Sequence, residues 1–309
     1  MNKYSLSIHG GAGTILKTKI TSKEEAAYRK ALETALKTGQ QILKNGGKSI
    51  DAVEAVVVSL EDCPLFNAGK GSVFDSDGKH EMEASMMDGK SLQAGSVAGI
   101  RNVRNPVSLA RKIMESERLV FLNGQGAEKY AENHDLEIVT PEFFFTEQRH
   151  QQWQKAAKDK SVMLDHSGSD KYGTVGAVAM DNEGNLAAAT STGGLTNKMY
   201  GRIGDSAVIG AGNYANNKTC AISCTGYGEY FLRSVAAYDI SCLVEYKGLP
   251  LAEAMNFFFH QKLLKLGGEG GAIGIDSNGE IVMEFNSEGM YRGSVGSGDE
   301  KIKVAIFKE

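Results

Sequence analysis

Two periods run through the chain. In short stretches apolar residues alternate with polar or small ones, the period of a strand; in longer ones they recur every three or four residues, the period of a helix. Alternation over 4–8 predicts a first strand that runs into His9-Gly10-Gly11-Ala12-Gly13. Ala27, Leu32, Ala35 and Leu43 are spaced for one helix face, with Ser22-Lys23-Glu24-Glu25 reading as a capping box at its start and Gly46-Gly47 as its stop. Ser49 is expected to cap a second helix over 51–60, with Ala52, Val53, Ala55, Val56 and Val57 on its apolar side. An irregular loop covers 61–72. Strands over 81–87 and 93–100 flank the turn Asp88-Gly89, and helices over 107–116 and 126–133 follow. From 141 to 171, after a short amphipathic piece, the sequence turns polar and aperiodic; an exposed linker is expected there, at about 155–173.

The second half reopens with strands over 175–180 and 186–191, joined by the hairpin turn Asp181-Asn182-Glu183-Gly184-Asn185. A strand over 221–224, helices over 229–246 and 251–266, and strands over 271–275, 281–285 and 302–307 complete the reading. No internal repeat is evident. Strands and helices come in blocks, so two sheets with helix layers outside fit better than an alternating parallel fold.

Composition then excludes several classes. The 309 residues are 41% hydrophobic, enough for a sizeable core. A formal net charge of −4 argues against the basic face that nucleic-acid binding requires. No run approaches the ~18 apolar residues of a membrane-spanning helix. Residues 1–8 are too short and too polar for a signal sequence, so a cytoplasmic protein is expected. Cys63, Cys220, Cys224 and Cys242 form no CxxC pair and no histidine cluster has zinc spacing, which points to reduced structural thiols. Asn217-Lys218-Thr219 fits a glycosylation acceptor but is discounted for want of an export signal. Glycine is the outlier, with 37 residues against 4 prolines. Its loops invite a nucleotide- or sugar-binding module. Yet the dinucleotide fingerprint lacks its last glycine at Leu16, Phe231 and Ile273, and Gly69-Lys70-Gly71-Ser72 is no complete phosphate loop.

One stretch carries candidate chemistry. Gly173-Thr174 opens the apolar run over 175–179 behind a polar, turn-rich approach. A threonine hydroxyl is a weak nucleophile until a base takes its proton. Cleavage of the Gly173–Thr174 bond would supply that base on the same residue, because a free α-amine has a pKa near 7.7–8.0. For the pair alone, an ordinary strand start outweighs this reading. Three neighbours bear on it. Thr190-Ser191-Thr192-Gly193-Gly194 brings hydroxyls and turn amides beside the start of the strand. Arg202 and Asp205, three apart in a glycine-rich loop, suit the carboxylate and ammonium of an amino acid, or form a surface ion pair. Thr225-Gly226-Tyr227-Gly228-Glu229, between a strand and a helix, is either an oxyanion hole or a plain helix cap.

These motifs, in this order and over nearly the whole chain, resemble the plant-type asparaginases and isoaspartyl peptidases among the N-terminal nucleophile hydrolases. The likeness rests on His9 to Gly13, Phe66-Asn67-Ala68-Gly69-Lys70-Gly71-Ser72, Met82-Glu83-Ala84-Ser85, Met87-Asp88-Gly89, 173–179, 190–194, 201–205 and Thr225-Gly226. It implies an α+β, four-layer αββα sandwich that cuts itself into an α subunit (1–173) and a β subunit (174–309) of one structural domain. A dimer of such heterodimers is also implied, with a small amino-acid or dipeptide substrate and no organic cofactor. By the same resemblance Thr174 is nucleophile and base, and Thr192 supports it. Arg202 and Asp205 hold the substrate, with Gly228 and Asn67 close by, and Thr225 and Gly226 form the oxyanion hole. A sodium ion is implied on the backbone carbonyls of Leu60, Glu61, Cys63, Phe66, Ala68 and Lys70. The implied reaction is hydrolysis of the L-asparagine side-chain amide and of β-aspartyl dipeptides, with a glycosylasparaginase the nearest alternative. Tyr172, where many relatives have histidine, and Tyr227, where they have a small or polar residue, depart from the pattern.

Overall fold

Period-two runs become strands and amphipathic runs become helices in a computed structural model that describes residues 3–159 and 173–308. The strands are β1 (Ser5–Gly13), β2 (Met82–Asp88), β3 (Ala94–Ile100), β4 (Phe121–Asn123), β5 (Val175–Met180), β6 (Leu186–Thr192), β7 (Asn213–Ala215), β8 (Cys220–Gly226), β9 (Gly270–Asp276), β10 (Ile281–Phe285), β11 (Gly289–Gly296) and β12 (Lys303–Phe307). The helices are α1 (Ser22–Lys44), α2 (Ser49–Glu61), α3 (Pro106–Met114), α4 (Gly124–Glu132), α5 (Glu147–Lys158), α6 (Gly228–Ser234), α7 (Ala236–Lys247) and α8 (Leu251–Phe257). Among the described residues, one sheet has the order β12-β11-β1-β5-β6-β2-β3-β4 and a second the order β10-β9-β8-β7. Neighbours are antiparallel except β3 and β4.

Alternation along the strands sorts their side chains into separate cores. Leu6 and Ile8 of β1, Val175, Ala177 and Ala179 of β5, and Ala187 and Ala189 of β6 face α1, α2 and α3. The opposite faces of the same strands present Val178, Met180, Leu186 and Ala188 to Ala221 of β8 and to Ile273 and Ile275 of β9. Beyond the second sheet, Cys220, Ile222, Cys224 and Ala272 pack on Ile240, Met255 and Phe259 from the last helices. Strands covered on both faces read as continuous apolar runs, which is why 175–180 shows so little polar alternation.

Several boundaries differ from the sequence reading. The capping box lies one residue earlier: the Thr21 hydroxyl accepts from the Glu24 N–H (3.2 Å), and the Glu24 carboxylate accepts from the Thr21 N–H (2.8 Å). Lys48, not Ser49, is the N-cap of α2, because the Ser49 N–H is drawn to Asp181 (3.1 Å). The single helix expected over 229–246 is broken at Val235, which takes a left-handed φ of 50°. The break lets the first amides of α7 donate to the carbonyls of Gly210 and Ala211. Helix α8 continues as a π-helical segment, Phe258–Leu263. The strand β11 went unread because three of its eight residues are glycine, yet it pairs with β1 from Ser5↔Gly296 to Gly13↔Gly289. The linker expected at 155–173 is helical up to Lys158 and ends in a buried Gly173; 160–172, including Tyr172, lies outside the described residues.

Helix α3 packs directly on β3 at Gly95, where a Cβ would collide with the Ala110 carbonyl oxygen and come within 2.6 Å of the Met114 nitrogen. Backbone cannot yield as a side chain can. Gly95→Ala is therefore expected to cost on the order of 1–3 kcal/mol and lower the melting temperature by several degrees in calorimetry. Gly126→Ala in α4, with nothing within 4 Å of the new methyl, should hold or raise it.

Candidate active site

The layer between the sheets changes character along its length. At one end it is apolar. At the other, the same strand faces carry His9 of β1, Glu83 and Ser85 of β2, Thr190 and Thr192 of β6, Ser223 and Thr225 of β8, and Thr174 just before β5, all buried. The register assembles them: Val175 pairs with Ser191, and Glu83 with Thr192. The Thr174 hydroxyl lies 3.5 Å from that of Ser206, whose carbonyl accepts from the Ser85 hydroxyl. Of the residues singled out in the sequence, Gly173, Thr174, Thr192, Arg202, Asp205 and Gly226 line one cleft. With Gly173 in its wall the cleft encloses about 20 Å³, room for roughly one water.

The others stand close behind. The Thr225 hydroxyl accepts from the Ala12 N–H (3.3 Å), which leaves its proton to donate. Likewise the Thr192 hydroxyl accepts from the Gly194 N–H (3.1 Å). Gly228 is a place where a Cβ would come within 2.7 Å of both Arg202 Nη2 and Asp205 Oδ1, so its bareness lets both side chains reach the cleft. Asn67 is buried and does not line it: its amide donates to the Gly194 carbonyl (2.8 Å) and its side-chain oxygen accepts from the Val73 N–H (3.0 Å). It ties the 67–73 loop to the turn after Thr192. Tyr227 faces Tyr230, ring centroids 5.5 Å apart, and does not line the cleft.

Charge is concentrated here and mostly answered. Glu83, nearly fully buried, accepts from the Gly204 N–H with both oxygens (2.9 and 3.0 Å), fixing the loop between Arg202 and Asp205. Burial raises the Glu83 carboxyl against the pull of Lys198 and Arg202. Lys198, also buried, donates to the carbonyls of Glu81 (2.7 Å) and Gly193 (3.0 Å), and burial lowers its ammonium. Arg202 gives one edge, Nε and Nη2, to Glu229 (2.9 and 3.0 Å). Asp205 is the exception: its Oδ2 is buried without a hydrogen-bond partner, and burial pushes the carboxyl up to about 7 despite Arg202. A buried carboxylate with an open oxygen is a ready seat for a small cation such as an ammonium group. Glu83, Lys198, Ser206 and Glu229 were given no role by the sequence reading. For the first, the signals in the sequence are its place in the Met82-Glu83-Ala84-Ser85 motif and a charge within a strand.

The loop after α2 folds back on itself. A Cβ at Gly69 would collide with the Glu61 carbonyl and one at Gly71 with that of Phe66. Burial pushes the Glu61 carboxyl up to about 8, and its Oε2 has no partner. No group of three or more His, Cys, Asp or Glu side chains suited to a metal occurs among the described residues. No described helix is long and apolar enough to cross a membrane.

Comparison with known proteins places the whole chain in a family. A family model described as asparaginase matches residues 2–306. The chain is 50% identical to the isoaspartyl peptidase of Escherichia coli (strain K12), over 100% of this chain and 98% of that one. It is 40% identical to the isoaspartyl peptidase/L-asparaginase of Xenopus laevis, over 99% and 96%. Its identity to the mouse protein of that name is 42%, over 97% and 89%.

The Asp205 carboxyl sits above its unfolded value, so the stability it contributes is present at low pH and is lost as pH rises from about 4 through about 7. Asparagine carries no such dependence. Asp205→Asn should therefore gain melting temperature relative to the unsubstituted protein between pH 5 and pH 8.5. A flat or falling difference across that range would show that Asp205 ionises at little cost.

Proposed function

This chain belongs to the asparaginase family, and from that premise we propose that it is an isoaspartyl peptidase and L-asparaginase that activates itself by cutting between Gly173 and Thr174. The observation that carries the reading is a hydroxyl at a strand start that lines one narrow cleft together with Arg202 and Asp205, the latter with an open oxygen. In the first step the Thr174 hydroxyl attacks the Gly173 carbonyl. The peptide nitrogen leaves as the α-amine of Thr174, and water hydrolyses the resulting ester. The products are the α subunit (1–173) and the β subunit (174–309), still one structural domain.

The freed amine then serves as base for the hydroxyl beside it. The substrate's α-carboxylate takes the Nη1 side of Arg202, the edge Glu229 leaves open, and its α-ammonium meets Asp205. Thr174 attacks the β-carbonyl. The Thr225 hydroxyl and the Gly226 N–H hold the oxyanion. Ammonia, or the second amino acid of a β-aspartyl dipeptide, leaves with the proton taken from the Thr174 hydroxyl, and water releases aspartate from the acyl-enzyme. Thr192, its hydroxyl proton uncommitted, steadies the nucleophile. A cleft of about 20 Å³ is too small for asparagine, so departure of the Gly173 end is what opens it.

The layering of helices on two packed sheets is, on this reading, the αββα sandwich of the N-terminal nucleophile hydrolases. The carbonyls of Leu60, Glu61, Cys63, Phe66, Ala68 and Lys70 fit a sodium ion in the oxygen chemistry they offer, in a loop whose glycines let the backbone close on Glu61 and Phe66. The ion would brace the loop that carries Asn67. Work in the cytoplasm as a dimer of heterodimers completes the proposal.

The wild-type protein should run as two bands on a denaturing gel, with Thr as the N-terminal residue of the smaller, and Thr174→Ala as one inactive band. Intact, active wild-type protein would overturn the mechanism. Hydrolysis of β-Asp-Leu and asparagine but not of glycan-linked asparagine separates it from a glycosylasparaginase. L-Aspartate should inhibit up to about tenfold less tightly at pH 6 than at pH 8, as Asp205 takes up its proton. Succinate, which lacks the ammonium, should show no such weakening.

A further inference from the structure

Behind the threonine lies a chain of hydrogen bonds that none of these steps uses. It crosses both sheets. His9 Nδ1 is 3.0 Å from the Thr174 carbonyl oxygen, His9 Nε2 is 2.8 Å from the Ser223 hydroxyl, and Ser223 is 2.7 Å from the Thr190 hydroxyl. All three side chains are fully buried. Gly176 makes room for them, since a Cβ there would collide with both Ser223 Oγ and His9 Nε2.

The direction of every proton in this chain follows from two facts. A carbonyl oxygen only accepts, so His9 Nδ1 carries a hydrogen. Burial drives the imidazole down to about 3 in spite of that bond, so the ring is neutral and Nε2 is an acceptor. Ser223 must then donate to Nε2, and having spent its one proton it accepts from Thr190. The opposite tautomer would turn a ring lone pair towards the Thr174 oxygen and leave that buried carbonyl without the imidazole donor.

We propose that His9, held in its Nδ1–H tautomer by Ser223 and Thr190, is the positioning residue that fixes the backbone of the nucleophile. This rests on the reading of Thr174 as nucleophile. The carbonyl in question belongs to the Thr174–Val175 bond, so the contact survives the cut at Gly173. It therefore aims the hydroxyl in self-cleavage and in turnover alike. His9 touches no substrate atom on this geometry, so its loss lowers rates and leaves substrate affinity alone.

Asparagine can present an amide N–H near the place of Nδ1, and glutamine presents one nearer Nε2. His9→Gln should slow self-cleavage and lower kcat by about 10- to 100-fold, the scale of a small misplacement of reacting atoms, with KM little changed. His9→Asn should recover most of both. In ¹⁵N NMR of the uniformly labelled wild-type protein, the ring signals absent from the His9→Asn spectrum should have Nδ1 in the protonated range and Nε2 in the unprotonated range. An Nε2–H tautomer, or His9→Gln cleaving and turning over like wild type, overturns the proposal. If His9→Gln does not fold, the NMR result on the wild-type protein decides alone. Thr174→Ala that still cleaves would instead sink the nucleophile reading, while the tautomer measurement would stand.

Discussion

The site depends on how two sheets meet. Their shared layer is buried, so a polar side chain placed in it must find a partner inside it. At the apolar end the strands meet this constraint with Val178, Ile273 and Ile275. At the other end they meet it with one another: Thr190 with Ser223, Ser223 with His9, His9 with the Thr174 carbonyl, Glu83 with the Gly204 amide. Because each partner comes from a different strand, the network exists only when the sheets are in register. It also ties the Thr174 backbone to both of them.

Charge obeys the same constraint less completely. Lys198 and Glu83 have close partners, as buried charges must if they are not to cost several kcal/mol apiece, and the part-buried Arg202 and Glu229 pair with each other. Asp205 Oδ2 has none. An uncompensated carboxylate oxygen weakens the free protein, and an incoming ammonium group relieves it. On the proposed binding mode, the site holds its substrate selectivity as a deficit in the empty state, the usual relation between strain and function. Glu229 belongs to this account because a guanidinium has two edges: filling one turns the other towards the cleft.

Much of this could be read from residues alone, and the parts that could not share a cause. The strand over 175–180, the hairpin after it and the pairing of Thr174 with Thr192, Arg202, Asp205 and Gly226 in one cleft are local or follow from one hairpin and one crossover. What escaped was decided across long distances in sequence. Glu83 matters because β2 lies beside β6, which no local pattern announces. β11, with three glycines in eight residues, shows no strand pattern of its own and is defined by β1 and β12 on its flanks. The helix over 229–246 has an unbroken apolar face, and only the carbonyls of Gly210 and Ala211 explain its break at Val235. Asn67 was assigned to the substrate on resemblance; its hydrogen bonds go to backbone of the two loops it joins.

The position of the threonine at the very start of β5, and not within it, has a mechanical reason. From Val175 onwards β5 is held on both edges, by β1 and by β6. A cut inside that ladder would free nothing, because the hydrogen bonds would keep both new ends in place. A cut one residue before it leaves the C-terminal side clamped, with its first carbonyl on His9, and the N-terminal side attached to the sheet by no ladder among the described residues. On the proposed reaction, then, the fold supplies two opposite requirements at adjacent residues. Thr174 must stay where the hydroxyl is aimed, and Gly173 must be able to go. The strand boundary lies between them, where the sequence passes from a polar approach to a continuous apolar run.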